Sequence, residues 1–536
     1  MRRLKMLAKA MKNNYLAMAL LFVLVVLCAY FRVSGLELRP LSIDEATIVS
    51  FIQGVVAKGY PYVVVSTMEV PLATYELIPY FLTIPSLFTG EVTEFTVRLP
   101  SVIFSVGTMI MIFMICFRQF GLFSAVISCV LYSTSTWAIY WGQNAFHPAP
   151  TQFFTLLTVV LIQRLLSQNE PTLKLSLAVW LSFTFTYLSW EGSGFLLPVA
   201  AVIVLYFKRD NLLWIFNRNL LVMYALVILT LVWQGVRRIM LQEPHLMLGS
   251  GKGDISLPQL GFLNDSWDPL FYLINFFGME THLLVGLVFV VGFYYFLRLE
   301  ALRYFYLFFI LTVLFLSNFL LFYNAHYLYF IYPFFIISVG VIISNAVQDG
   351  YSILKRDMSP ITLGIGLFAS AFFLLTVFAS INSNFVQAYS IGNQGYLGVR
   401  LDYRNDLAQP DYRTVTEALD KNIRAGDVVI SMAPMPTRLY SGITSDYFLQ
   451  TITDRKIVYD NNLVTPFYRD KFIGSVVLRN FDELKDLLAS NERVWFVAAP
   501  YQSMPTVIDA DTVEFIDSNF RVIKESYDAR LYLWTR

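Results

Sequence analysis

The chain has 536 residues, of which 57% are hydrophobic and only 14% are charged, and its formal net charge is +1. Its mean hydropathy is +0.58. These values exclude an ordinary soluble enzyme, and the length exceeds that of one domain, so we predict a polytopic membrane protein. The near-neutral charge shows no excess of basic residues of the kind that nucleic-acid binding requires. Three cysteines, all within apolar runs, predict neither a disulfide framework nor a thiolate metal site.

The first apolar run spans residues 15–31 and follows a basic N-terminus, with no small-residue cleavage site behind it. It is therefore predicted to be a retained membrane span rather than a signal peptide. Because Lys and Arg favour the cytoplasmic side, the N-terminus is placed in the cytoplasm, and residues 34–98 begin outside.

Residues 71–88 decide the topology of everything that follows. They include Glu76 and three prolines and lack the ~20 clean apolar residues of a span. We predict a juxtamembrane helix on the outer face. Nearly every short basic loop then falls on one side, and about eleven transmembrane helices result. The predicted spans are 15–31, 99–117, 122–140, 151–166, 175–190, one that ends at Lys208, 220–236, one that ends at Arg298, one that starts after Arg303, one that ends near Gln348, and 361–381.

The composition changes near residue 382. Residues 400–536 alternate short β-branched runs with amphipathic helical ones, which is typical of a small soluble α/β domain. We therefore divide the chain into a transmembrane catalytic module, 1–382, and an extracytoplasmic α/β domain, 383–536. The predicted strands are DVVISM, KIVYD, RVWFVAA and RLYLWTR, and the predicted helices are TVTEALDKNI, DELKDLLAS and VEFIDSNF.

Three acids, Asp44, Glu45 and Glu69, lie between very apolar segments of the first outer loop. Carboxylates this close to a membrane are costly unless water, a partner or a substrate meets them. Asp44 is the leading candidate for a catalytic base. Two structural alternatives stay open: Asp44 and Glu45 could cap the following helix, and Glu69 could pair with Arg98.

Several motifs follow one another in a recognisable order: an N-terminal span, a DE pair, EVPLATYELIPYF, VRLPSVIFSVGT opening the next span, and a late HYLYFIYPFFII. This order resembles the C-type glycosyltransferase superfamily over most of residues 15–345, with protein O-mannosyltransferases and lipid A aminoarabinose transferases as the nearest likeness. The resemblance implies transfer of a sugar from a polyprenyl-phosphate carrier to a protein, lipid or envelope-glycan acceptor on the outer face of the plasma membrane.

The resemblance also assigns residues. It places the family's carboxylate pair on Asp44 and Glu45, and the polar residue before the juxtamembrane proline on Glu69. His147 stands where the family often has an aspartate that opens the fourth span. Either His147 substitutes as a donor or ligand, or the role of that second acid is absent here.

Such chemistry needs a base for the acceptor hydroxyl and positive charge for the departing phosphate. Asp44 fits the first role. Arg237 and Arg238, at the start of a long outer loop, fit the second, although they could simply anchor to lipid headgroups. His326, Tyr327 and His147 are further candidates for binding the substrate phosphate. A divalent metal ion could supply the positive charge instead, and the sequence leaves that requirement open.

Two other classes of function are weighed against this one. A transporter or flippase for lipid-linked substrates predicts charges at mid-membrane and inverted repeats, and neither is evident in the sequence. A non-catalytic envelope scaffold explains the topology but leaves the boundary carboxylates without a purpose.

Overall fold

The structure is a computed structural model. It describes residues 2–37, 39–65, 68–72, 74–242, 268–277, 280–319, 325–357, 410–451, 457–459, 468–470 and 473–536. The helices before residue 358 are α1 (Arg2–Val33), α2 (Ile43–Lys58), α3 (Leu77–Thr89), α4 (Glu94–Phe120), α5 (Leu122–Thr134), α6 (Thr136–Gly142), α7 (Pro148–Leu166), α8 (Leu173–Ser189), α9 (Leu196–Phe207), α10 (Arg218–Gln242), α11 (Phe271–Phe277), α12 (Glu280–Val291), α13 (Phe293–Arg298), α14 (Glu300–Phe319) and α15 (Tyr332–Asp357).

Among the described residues, six helices are long and apolar enough to cross a membrane, and two bent helix pairs raise the number to eight. The chain is therefore a polytopic membrane protein. Of the predicted spans, 175–190 and the one ending at Lys208 correspond to α8 and α9, which are shorter apolar helices. The predicted span 361–381 lies outside the described residues.

The bend between α5 and α6 measures 65° and shows how the polar backbone groups of a broken span find hydrogen-bond partners. A break frees backbone carbonyls, which are costly in lipid unless they find donors. The fully buried Arg32 donates to the carbonyls of Tyr132 and Ser133, each at 3.2 Å, and to the hydroxyl of Ser105 at 2.6 Å. The Ser135 hydroxyl caps the N-terminus of α6. Buried side chains therefore supply the hydrogen bonds that the helix break requires.

The segment predicted as one juxtamembrane helix over 71–88 contains two elements. Residues Met68–Pro71 form strand β2, which pairs antiparallel with β1, Tyr62–Val65. The helix proper is α3, which has 13 residues and is about 20 Å long. That length falls short of the ~30 Å hydrocarbon core, as the juxtamembrane prediction requires. Pairing with β1 keeps the first proline, Pro71, in the strand, and the helix begins later, at Leu77.

The terminal domain is an α/β fold around an eight-stranded sheet of order β5-β6-β7-β4-β3-β8-β10-β9. The central strands β7, β4, β3 and β8 are parallel, and the flanking pairs are antiparallel. Each strand and helix predicted from the sequence coincides with an element of this domain, and the sheet has four further strands that were not predicted, β4, β6, β7 and β9. Its elements are α16 (Tyr412–Asn422), β3 (Val428–Ser431), α17 (Pro434–Ser441), β4 (Tyr447–Leu449), β5 (Ile457–Tyr459), β6 (Tyr468–Asp470), β7 (Val476–Leu478), α18 (Phe481–Ser490), β8 (Arg493–Ala498), α19 (Met504–Val507), α20 (Ala510–Asn519), β9 (Arg521–Ser526) and β10 (Ala529–Thr535).

The terminal domain packs on the first loop of the membrane module. Met435 and Ile473 of the domain share a buried cluster with Leu41, Ile48 and Val49. We call the end of the helical bundle that carries α2, α3 and this domain the loop face.

Candidate active site

Asp44 lies in the first turn of α2 and is exposed. The helix begins there because Ser42 and Glu45 form a capping box: the Ser42 hydroxyl accepts from the Glu45 amide at 3.1 Å, and the Glu45 carboxylate accepts from the Ser42 amide at 2.9 Å. The two adjacent acids therefore divide the roles that the sequence left open. Glu45 caps the helix, and Asp44 stands at its positive end.

Glu45 cannot be a catalytic residue, which corrects one prediction. Its side chain is 0% exposed, and Arg98 forms a two-pronged ion pair with it at 2.8 and 2.9 Å. The Ala145 amide donates to the same carboxylate at 2.8 Å. Burial opposes ionisation, but the charges of Arg98 and Arg39 lower the pKa of Glu45 to about 2. No lone pair is left for a substrate, so Glu45 has a structural role.

Arg98 binds the loop in front of α2 as well. Its guanidinium donates to the carbonyls of Leu36 and Arg39, both at 2.6 Å, and to that of Pro40 at 3.0 Å. We call Arg98, Glu45 and the carbonyls of Leu36, Arg39 and Pro40 the Arg98 node. The node fixes the backbone on which Asp44 stands.

Glu69 lies far from Asp44. It is exposed on β2, where it pairs with Lys58 and accepts from the Tyr60 hydroxyl at 2.8 Å. Lys58 ends α2, about four turns or roughly 20 Å from Asp44. The suggested pairing with Arg98 is therefore wrong, and the three early acids do not form one pocket.

Asp44 instead lies within electrostatic range of Tyr75 and Tyr327. Burial raises the pKa of the Tyr75 hydroxyl, and Tyr327, Glu191 and Asp44 raise it further, whereas the charge of Arg238 lowers it. Tyr75 has φ +56°, a left-handed conformation that costs a non-glycine residue roughly 1–3 kcal/mol. Strain of this kind clusters at functional sites. We call Asp44, Tyr75, Glu191, Arg238 and Tyr327 the Tyr75 pocket.

A second group of charges adjoins this pocket. Arg237 forms an ion pair with Glu76 and donates to the Leu72 carbonyl at 3.0 Å. The Gln234 amide bridges Glu76 and Glu191, reaching Glu191 at 3.2 Å. Glu191 lies in the 3-10 turn between α8 and α9, where burial and the charge of Glu76 raise its pKa to about 7. Arg237 is thus already engaged, whereas Arg238 is exposed.

His147 is part of the wall of the pocket. Its ring is stacked between Tyr75 and Trp190, with centroids at 5.1 and 5.3 Å, and Trp190 stacks on Tyr327 at 5.2 Å. His147 is only 3% exposed. Both ring faces are therefore covered by aromatic rings, which fixes the plane of the imidazole in the wall of the pocket. A role of His147 in binding the substrate phosphate stays a prediction. The side chain of His326 lies outside the described part of the chain.

A metal site is not evident in the part of the chain that the structure describes, where no three His, Cys, Asp or Glu side chains are placed to hold an ion.

Sequence reasoning missed Glu191 and Glu76 as members of the site. The signal for Glu191 was an acid placed directly after the apolar run of α8, at the predicted outer end. Glu76 was noticed only as an argument against a span.

The chain resembles known proteins both in sequence and in fold. The profile of the family described as dolichyl-phosphate-mannose-protein mannosyltransferase matches residues 76–250. No curated protein matches the chain by sequence.

Two solved structures share the fold. ArnT from Cupriavidus metallidurans, bound to undecaprenyl phosphate, has a TM-score of 0.59 and 10% identity over 98% of each chain. The archaeal oligosaccharyltransferase AglB from Archaeoglobus fulgidus, in complex with an inhibitory peptide and a dolichol-phosphate, has a TM-score of 0.55 and 10% identity, covering 94% of this chain and 72% of its own.

Proposed function

We propose that this chain transfers a sugar from a polyprenyl-phosphate donor to an acceptor hydroxyl. Its family and fold matches confirm the predicted resemblance to the C-type membrane glycosyltransferases. The observation that carries the proposal is the Tyr75 pocket, where a stack of rings runs from Tyr75 to Tyr327. An exposed carboxylate, Asp44, and an exposed arginine, Arg238, lie within electrostatic range of Tyr75. A base and a phosphate-binding cation are the two groups that this reaction needs.

In the proposed mechanism, Asp44 takes the proton of the acceptor hydroxyl as its oxygen attacks the anomeric carbon of the sugar. The bond between that carbon and the phosphate oxygen breaks, and the phosphate leaves with the electron pair. A single displacement of this kind inverts the configuration at the anomeric carbon.

Arg238 meets the departing phosphate in this mechanism. Its exposure near the end of α10 supports this assignment, because an exposed guanidinium can donate charge-assisted hydrogen bonds to phosphate oxygens. Arg237 is held by Glu76 and helps to position the end of the helix. Tyr327, which stacks on Trp190, supplies a hydroxyl beside the same pocket.

The location of the pocket suits a lipid-linked donor. The short helix α3 packs against α2 and α4, and it leaves Ile84, Leu87 and Phe88 exposed at 49%, 65% and 86%. We propose that this apolar face lies in the bilayer, so that the phosphate sits at the membrane boundary and the polyprenyl chain stays in lipid. The extracytoplasmic orientation of the loop face and residence in the plasma membrane belong to the proposal.

A transfer assay with purified protein tests the function. Short-chain polyprenyl-phosphate monosaccharides are supplied as a panel, with protein, lipid and glycan acceptors, and the release of polyprenyl phosphate is measured together with glycosylated product. We expect both products to appear in equal amounts with at least one donor. Donor binding without consumption of any panel member, at any acceptor, would contradict the proposal in favour of a transport or scaffold role.

A further inference from the structure

A tyrosine of the terminal domain forms hydrogen bonds at the loop that carries Asp44. Tyr440, on α17, accepts a hydrogen bond from the Leu41 amide at 2.7 Å and donates one to the carboxylate of Glu94 at 2.5 Å. Leu41 is three residues before Asp44, next to the carbonyls that Arg98 binds. A single hydroxyl therefore joins the terminal domain to both the loop and α4.

An ion pair reinforces this contact. Arg413, in the first turn of α16, pairs with the second carboxylate oxygen of Glu94 and donates to the Glu37 carbonyl at 3.0 Å. Both oxygens of Glu94 are thus occupied by the terminal domain. Glu94 and Arg98 are four residues apart in α4 and lie on the same helix face. The contact of the domain and the Arg98 node therefore hold the loop from the same side of α4.

Apolar packing keeps the contact dry. Ile43 packs against the buried cluster that contains Tyr412 and Val415 of the terminal domain. Met435 packs into the cluster around α2, with its sulfur 2.8 Å from the Ser50 hydroxyl. Glu94 is only 13% exposed, so its bonds to the domain are shielded from water.

We propose that the terminal domain is a positioning element for the Asp44 loop, and that Tyr440 and the Arg413–Glu94 pair are the residues through which it acts. The kinetic part of this inference rests on the proposed function, because it takes Asp44 as the base. A base must lie within hydrogen-bond reach of the proton that it removes, and a displacement near 1 Å can cost about a hundredfold in rate. Tyr440 and Arg413 are positioning residues, since they act on the reaction only through the loop.

Tyr440→Phe in the full-length protein tests the proposal, because it keeps the ring and removes both hydrogen bonds. We expect amide hydrogen exchange over residues 39–46 to become at least about tenfold faster, and kcat to fall about tenfold with less than about twofold change in the KM of the donor. The matched control is Tyr532→Phe, which removes a hydroxyl bond to Asp517 inside the terminal domain. Tyr532→Phe should change neither the exchange rate over residues 39–46 nor kcat.

Arg413→Gln gives a second, milder test, since Arg413 is 35% exposed at the edge of the contact. It should accelerate exchange over the same residues by a smaller factor, and it serves alone if Tyr440→Phe does not fold. Unchanged exchange over residues 39–46 in these variants overturns the positioning role. If the wild-type protein transfers no sugar, the proposed function fails, and the exchange measurement by itself still decides for or against the positioning role.

Discussion

The Arg98 node and the Tyr75 pocket lie close together at the loop face, and each contains an arginine and acidic side chains. In the node, Arg98 is 1% exposed, each nitrogen of its guanidinium has a partner, and both oxygens of Glu45 accept from it. In the pocket, Arg238 and Asp44 are exposed, and the two charges act on Tyr75 rather than being buried against each other. A fully paired, buried arginine holds backbone in place, whereas charges that are exposed to solvent can be reached by a substrate.

Glu45→Gln tests the structural side of this comparison and should have the largest effect on stability. It leaves Arg98 buried with a neutral partner, and breaking a buried pair costs about 3–5 kcal/mol. Chemical unfolding in detergent should report that loss. Glu417→Gln is the matched control, because Glu417 forms an exposed pair with Lys421. Its effect should stay below about 0.5 kcal/mol, and equal effects of the two substitutions would argue against the node.

Arg238→Gln tests the functional side. A charge-assisted hydrogen bond to phosphate contributes about 1.5–3 kcal/mol, so the KM of the donor should rise about ten- to a hundredfold while the unfolding curve stays in place. Arg209→Gln removes an exposed arginine beyond the end of α9, away from the pocket, and should change the KM less than twofold. An unchanged KM in Arg238→Gln would show that another group binds the phosphate.

Glu191 should make donor binding depend on pH. Its pKa is raised to about 7, so it is neutral below that pH and ionised above it. Because ionised Glu191 offsets the charge of Arg238, the KM of the donor should rise by about threefold to fivefold between pH 6 and pH 8. The donor is a phosphate diester and does not titrate in this range.

Glu191→Gln mimics the neutral form at every pH. The KM of the variant should therefore stay flat from pH 6 to pH 8, at the low value that the wild type shows at pH 6. A variant that keeps the wild-type pH profile would assign the titration to another group.

Glu69→Gln should have the smallest effect. Glu69 is exposed on the hairpin and paired with Lys58, and exposed pairs contribute about 0–1 kcal/mol. We expect less than twofold change in kcat, in the KM of the donor or in acceptor preference. A loss above tenfold would place the hairpin in the substrate path and contradict the separation of Glu69 from the pocket.

The sequence predicted the elements whose signal is local. The strand at 493–498 and the helix at 481–490 followed from their apolar patterns. Hydropathy likewise predicted the six long apolar helices of the described residues, out of about eleven predicted spans. Asp44 was proposed from its position after the first span. Pairings across the fold could not be read in the same way. Glu69 and Arg98 looked complementary, but the β1–β2 hairpin carries Glu69 to Lys58, and Arg98 reaches Glu45 instead.

The roles assigned to Glu191 and Tyr440 follow from tertiary contacts alone. Glu191 belongs to the site because the turn after α8 meets the end of α10 through Gln234. Tyr440 reaches Leu41 across about four hundred positions of sequence, and no local pattern marks such a contact.

The most direct measurement of the central claim is the single-turnover rate of Asp44→Asn at saturating donor and acceptor, with donor binding measured on the same preparation. A positioned general base contributes about a hundredfold to ten-thousandfold. The account predicts a loss of at least a hundredfold in that rate with donor affinity and unfolding unchanged. Wild-type turnover by Asp44→Asn would contradict the assignment of Asp44 as the base.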